Sequence, residues 1–453
     1  FEAGFDDLTA ADVFRFKTPR SISRHLYNTD KRSREAKEDE ARLVPHRISP
    51  MQEKMIDNQL YKPNSTMWSI THFLARFGSE FEAEKICDAL NKAIKNHPGL
   101  MVVFGFNEDS ELYQQYRPNI FEDVRVREID EAELKVLTET LVRPFDRIIG
   151  SCLFRSAVYK VGDQTYLFMD VHHLIMDGDS LRILLYDMTN AYLGKELKKD
   201  MYFSIISDAE RRALSGDEEH SRKYFEDRYS GIEWSISPVP DIGDGKNVSL
   251  GRLEKRLGYD ASMVKEAEEY WGVTHSVMAI SAALAALHKF NGSDDVMVNW
   301  IYNNRMSAES ETAVGMLIKN LPAAARFGSI KNTKQLLELV KEQVSAGIAN
   351  SSYDYILKSF SPFKNDYMEV NIQMGINGDE LGTFRPEIIP LKDEYAAANT
   401  SLELVLIENE QGDGGFDSVF GYSSGLYSKG YMSDFQKIYT EILEGLIKKE
   451  EQV

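Results

Sequence analysis

The residues whose types and spacing could do chemistry lie in one run, Met169-Asp170-Val171-His172-His173-Leu174-Ile175-Met176-Asp177-Gly178. A histidine with an unperturbed pKa of about 6.5 is neutral at physiological pH with little tuning, so it can accept a proton or anchor an amine. Gly162-Asp163 marks a turn, and Thr165-Tyr166-Leu167-Phe168 after it predicts a buried strand that carries the histidines out of the core. Side chains alternate faces along a strand, so His172 and His173 cannot both meet one ligand, and a metal pair is not expected. One ring can stand at a reaction centre while the other braces the backbone behind it. Asp177 then falls in a turn, and Gly178 permits a backbone conformation or a close approach that a side chain would block. Ser180 to Asp187 continues in a helix-like pattern.

With the doubled histidine, the glycine and that continuation, His-His-x-x-x-Asp-Gly resembles the signature of the condensation domains of nonribosomal peptide synthetases. Other segments carry the same resemblance. Ser49-Pro50-Met51-Gln52 is similar to the family's opening motif. In Asn96-His97-Pro98-Gly99-Leu100-Met101, Met101 replaces a usual arginine. Asn304-Arg305 followed by Val314-Gly315-Met316-Leu317-Ile318-Lys319-Asn320-Leu321-Pro322 resembles a family pattern of Gly-Arg and then Ile-Gly-x-Phe-Val-Asn-Thr-Leu-Pro. Asn304 stands there for Gly, and Lys319-Asn320 for Asn-Thr. Tyr353-Asp354-Tyr355, Val370 to Gln373 and Ser401 to Leu404 match more loosely, and the likeness spans roughly residues 45–449.

The resemblance implies an α/β (α+β) fold of two chloramphenicol-acetyltransferase-like lobes forming a V-shaped pseudo-dimer, with the signature on a tunnel at the seam. It implies amide formation. The amine of one carrier-bound aminoacyl thioester attacks a donor aminoacyl or peptidyl thioester, so neither ATP nor metal is needed at this step. The site then needs a proton acceptor and oxyanion stabilisation. His173 is the candidate base or amine anchor, and the Gly178 N–H a candidate oxyanion donor. His172 and Asp177 are structural in this reading, and Arg305 becomes the partner of Asp177 once Met101 has replaced the other arginine. No cofactor is bound covalently. The substrates ride on 4'-phosphopantetheine arms, and the partners are donor and acceptor peptidyl carrier domains and an adjacent adenylation domain. Epimerization domains share the signature, and Arg182-Ile183-Leu184-Leu185 is epimerase-like, whereas Leu321-Pro322 and the Asn96-His97-Pro98 helix end lean to condensation. Plant-type acyl-CoA transferases carry an Asp-Phe-Gly-Trp-Gly motif that does not occur here. A non-catalytic docking module of the same fold is the remaining alternative, prompted by Met101 and Lys319.

The positioning elements follow from periodicity. Phe81 to Asn96 reads as an amphipathic helix with Ile86, Leu90, Ala93 and Ile94 on one face, and Leu100 to Phe104 as the strand after it. Ser276 to Phe290 is apolar enough for a buried helix, Val296 to Ile301 for a strand, and Met432 to Ile447 forms the last helix. Residues 1–28, with Phe14 and the helix start Thr18-Pro19, resemble the closing turn and helix of a peptidyl carrier domain, here a remnant without a loadable serine. Residues 29–45, dense in both charge signs, read as a solvated linker. Residues 46–215 and 216–449 then form the two lobes, the boundary lying where polar, Pro and Gly content rises. At 453 residues with 43% hydrophobic, the chain is long enough for two buried cores. A net charge of −19 disfavours nucleic acid and anionic membranes. Phe1 to Asp7 carries no signal-peptide pattern, no apolar run reaches membrane-spanning length, and the two cysteines, Cys87 and Cys152, lack metal spacing. The expected compartment is a reducing cytoplasm.

Overall fold

Strands that bury one or both faces must pair and be covered, and in this computed structural model they do so as two principal sheets. The structure describes residues 34–243, 249–359, 367–373, 384, 386–408 and 414–452. The carrier-like segment at residues 1–28 lies outside them.

The first sheet has the order β12 (Glu387–Ile389), β2 (Ser69–Phe77), β7 (Gln164–His172), β6 (Phe154–Val161), β5 (Val126–Glu128). Its central strand β7 is buried from Thr165 to His172, which is why it carries the apolar run Tyr166 to Met169. Asp170 ends that run and is paired, with Arg155 at 2.8 Å and the Ser69 hydroxyl at 2.6 Å. Helix α3 (Ala83–Asn96) buries Ile86, Leu90, Ala93 and Ile94 as the spacing predicts, and packs against α5 (Gly178–Tyr192). Where a strand was expected from Leu100, Pro98 instead opens a 3-10 turn, Pro98–Met101, and β3 (Val102–Phe106) begins after it.

The second sheet has the order β10 (Lys319–Arg326), β9 (Asp295–Tyr302), β11 (Met368–Gln373), β13 (Leu402–Glu408), β14 (Gly415–Ser423), β8 (Leu250–Asp260). One face, with Trp300, Val370, Leu404 and Phe420, meets a core that includes helix α9 (His275–Asn291), buried continuously from Val277 to Leu287, and helix α12 (Lys429–Ile447). The other face is polar. Asn299, Glu369 and Glu403 lie opposite one another on β9, β11 and β13, and Asn320 of β10 reaches Met51 on helix α2 (Pro50–Tyr61) of the first half.

The halves interlock. Ala313, Val314, Met316 and Leu317 belong to the first hydrophobic core, and β12 pairs antiparallel with β2, Ile389 opposite Leu74. No single helix among the described residues is long and apolar enough to cross a membrane. The expected solvated linker is corrected in part: residues 34–41 form a helix. Glu38 on it is fully buried, accepting from Arg42 Nε at 2.8 Å and the Ser204 N–H at 2.7 Å, and Asp39 pairs with Lys199 at 2.7 Å. Charges that cancel within the segment's composition are used in fact against partners far along the chain.

Candidate active site

Strand β7 ends at His172, opposite Ser69 of β2, and its last residue turns inward. The His172 ring is buried edge-on to Phe145, and its Nδ1 accepts the Leu174 N–H at 3.1 Å. Burial, with His173 and Arg155 nearby, holds its pKa down at about 3, so the ring is a neutral brace. His173, one residue on, faces the other way. Its N–H donates to the Trp68 carbonyl at 2.7 Å, the Trp68 indole stands edge-on with centroids 6.2 Å apart, and its Nδ1 is enclosed, close to the backbone of His173 itself and of Met176. Nε2 is thereby the nitrogen left for a substrate. Burial lowers the pKa of His173, and the Asp177 charge only partly opposes this, so it too is neutral at pH 7.

The turn after His173 is gripped from outside. Ser49 and Gln52 form a capping box at the start of α2, with both reciprocal bonds made, at 2.9 and 3.2 Å. The Gln52 amide so fixed donates to the Leu174 carbonyl at 2.9 Å. Asp177 is the N-cap of α5, accepting from the Ser180 N–H at 2.9 Å and its hydroxyl at 2.7 Å. Arg305 from the second half meets the same carboxylate with two parallel bonds of 2.9 Å each, and the Leu317 N–H adds a third donor at 3.0 Å. Arg305 also donates to the Ser180 hydroxyl at 2.9 Å and the Ala313 carbonyl at 3.2 Å. With Asp177 fully buried and Arg305 nearly so, desolvation is offset only because most of the lone pairs and protons are used.

Met101, in place of the family arginine, is buried in its 3-10 turn, and the cation on Asp177 comes from the other half of the chain. Lys319 is half-buried at the start of β10. It is in register with Tyr302, on the face that turns toward the core, where burial lowers its pKa against the pull of Asp354. Gly178 requires a correction. It opens α5 without a left-handed φ, and a Cβ there would only touch Gln373 Nε2 at 3.6 Å. What the glycine leaves is space facing Gln373 of β11, with its N–H in the first helical turn, where donors lack intrahelical acceptors. Asn303 closes the gap nearby, donating to Asp179 at 3.0 Å. Sequence reasoning missed Trp68, whose buried Nε1 has no partner, and the part of Ser180 in the Asp177–Arg305 network. Ser180 could have been found from its place three residues after Asp177; nothing local marks Trp68. Among the described residues no cluster of three metal-ligating side chains occurs.

A neutral histidine presented at a seam, on a turn clamped by a buried cross-lobe ion pair, defines a class: two-lobed proteins with the His-His-x-x-x-Asp-Gly site. Within that class the chain belongs to the condensation-domain family, whose model matches residues 46–453. It is 22% identical over 358 residues to bacitracin synthase 3 of Bacillus licheniformis, and 22% over 418 residues to tyrocidine synthase 3 of Brevibacillus parabrevis. Those matches cover 77% and 88% of this chain but 6% of each relative's length. Among solved structures, the condensation domain of the monacolin K polyketide synthase superposes with a TM-score of 0.73 at 15% identity, covering 90% of this chain and 99% of that one. The epimerization domain from the third module of tyrocidine synthetase B gives 0.71 at 16%, covering 90% and 98%. These likenesses establish the two-lobed pseudo-dimeric fold.

Proposed function

We propose that this chain forms amide bonds as the condensation domain of a nonribosomal peptide synthetase. The observation that carries the reading is His173: neutral, enclosed at Nδ1, and held on a turn fixed by Asp177 and Arg305. The acceptor amine nitrogen attacks the donor thioester carbonyl carbon, and the C–N bond forms as the carbonyl becomes a tetrahedral oxyanion. His173 orients the amine or takes its proton, and the oxyanion is met by the Gly178 N–H. Collapse breaks the C–S bond, the donor thiol leaves protonated, and the lengthened peptide stays on the acceptor carrier. Holding two tethered reactants in line can lower the barrier by roughly 7–11 kcal/mol in ideal intramolecular cases, so positioning supplies much of the catalysis. Donor and acceptor carriers with their 4'-phosphopantetheine arms, and an adenylation domain that loads them, are the partners in this reading, and the cytoplasm is the compartment. We further assign residues 46–215 and 216–449 as the two lobes.

The test presents a donor aminoacyl carrier and an acceptor aminoacyl carrier to the chain and follows the acceptor by intact mass. Dipeptidyl acceptor is expected, and the His173→Ala variant should be slower by roughly 10²–10⁴-fold, the range for loss of a general base. Donor inversion without transfer would mean epimerization. No transfer with cognate carriers bound would mean a docking module.

A further inference from the structure

Asn96-His97-Pro98 ends α3, and its histidine has no part in the chemistry above. His97 is fully buried between two carboxylates. Its Nδ1 bonds Asp200 Oδ2 at 2.7 Å, and its Nε2 lies 3.2 Å from Asp187 Oδ2, close enough to attract though not aligned as a hydrogen bond. Asp200 does more than hold the ring. Its Oδ1 accepts the Tyr202 N–H at 2.8 Å, and the same Oδ2 that meets His97 accepts the Val314 N–H, also at 2.8 Å.

Val314 belongs to the segment Ala313–Leu317 that crosses from the second half into the first core, and this segment bonds both the signature aspartate and its partners Arg305 and Ser180. Ala313 accepts from Arg305, Gly315 donates its N–H to the Ser180 hydroxyl at 3.0 Å, and Leu317 donates to Asp177. The packing leaves no slack. A Cβ on Gly99 would stand 2.2 Å from the Val314 carbonyl oxygen, and one on Gly315 would stand 2.1 Å from the Tyr202 ring. His97 is thus one link behind the crossover, and the crossover one link behind Asp177.

We propose that His97, as an imidazolium clamped by Asp187 and Asp200, is a positioning residue for amide formation, locking the Ala313–Leu317 crossover so that Arg305, Ser180 and Leu317 hold Asp177 in place. The proposal rests on the amide-forming reading for its kinetic part. Charge state agrees with geometry: burial alone would push the ring's pKa down, but the two carboxylates raise it to about 9. The groups facing it are Asp187 from α5, Asp200 from the loop before Tyr202, and the Asn96 amide, which donates to Asp187 at 3.2 Å. The Arg42 guanidinium approaches from outside, donating to the Asp200 carbonyl at 3.2 Å.

The variants are His97→Gln, which keeps bulk and a donor without charge, and Asp200→Asn, which breaks the same link from the other side. Each is measured for melting temperature, for kcat and KM with both carriers, and for hydrogen exchange in peptides covering residues 313–317. Expected are folded variants with kcat lowered at least ten-fold, KM for each carrier within two-fold, and crossover exchange at least ten-fold faster. In the native chain, labelled His97 should be doubly protonated at pH 7.5. A neutral ring at that pH, unchanged crossover exchange, or a loss of rate no larger than the unfolded fraction would each overturn the proposal. If the native chain transfers nothing, the function assigned above fails, while protonation and exchange still decide the role of His97.

Discussion

At the scale of single residues, the site depends on who partners whom. Among the described residues Arg305 is the one side chain that forms an ion pair with Asp177, and Met101, buried in its 3-10 turn, donates nothing. Removing one partner of a buried pair leaves an uncompensated charge and costs roughly 3–5 kcal/mol. Arg305→Ala should therefore lower stability by about that much in urea unfolding and abolish transfer. Arg305→Lys should recover part of the stability and little of the activity, since an ammonium cannot make both parallel bonds. Equal stability of native and Arg305→Ala proteins would show that the pair is already balanced by solvent. The pattern exposed the histidines, Asp177 and Gly178 as a set. It did not expose Trp68 or Asp200, because their roles come from contacts with residues about a hundred positions away.

At the scale of elements, short segments are held by backbone approach more than by propensity. Gly315 stands against the Tyr202 ring, so Gly315→Ala forces one of them to shift and should cost roughly 1–3 kcal/mol, the usual range for overpacking. Gly178→Ala is the contrasting case. Its φ is ordinary and the added methyl meets Gln373 at normal contact distance, so melting temperature should stay within a degree or two while transfer falls, because the space facing β11 is filled. A large melting-temperature loss in Gly178→Ala, or none in Gly315→Ala, would reverse this assignment. Helices α3 and α9 were readable from period and apolar content because their burial faces are continuous in sequence. The 3-10 turn at Pro98 and the helix at residues 34–41 were not, since the first depends on a proline's missing N–H and the second on buried partners for its charges.

At the scale of the whole molecule, the buried histidines set opposite limits on pH stability. The pKa of His97 is raised in the fold to about 9 from 6.5, so its contribution is complete below about pH 6.5 and is lost as pH rises through 9. The pKa of His172 is lowered to about 3, so its contribution is complete above pH 6.5 and is lost as pH falls toward 3. Each is on the order of a few kcal/mol. The gap in melting temperature between the native chain and His97→Gln should be large at pH 6.5 and nearly closed at pH 9.5. A gap independent of pH would mean that the ring's charge contributes nothing to stability. The seam carries a further buried charge: Lys54 of α2 lies over the Tyr367 ring and bonds its hydroxyl, and burial lowers its pKa to about 8 despite Glu369 and Asp354.

The sequence by itself determined the strand that delivers the histidines, the opposed faces of His172 and His173, and the principal helices, because each follows from periodicity or local sterics. Through a motif of ten residues it also pointed to the family. Tertiary structure alone decided that the crossover at Ala313–Leu317 and strand β12 would be built into the first lobe, and that the Leu317 N–H would join Arg305, the partner the resemblance implied, on Asp177 across 140 positions. It likewise decided that His97 would be charged while His172 stays neutral. The physical reason is common to all three. Burial, close approach and the presence of a counter-charge are properties of neighbours in space, and a one-dimensional pattern records only neighbours along the chain.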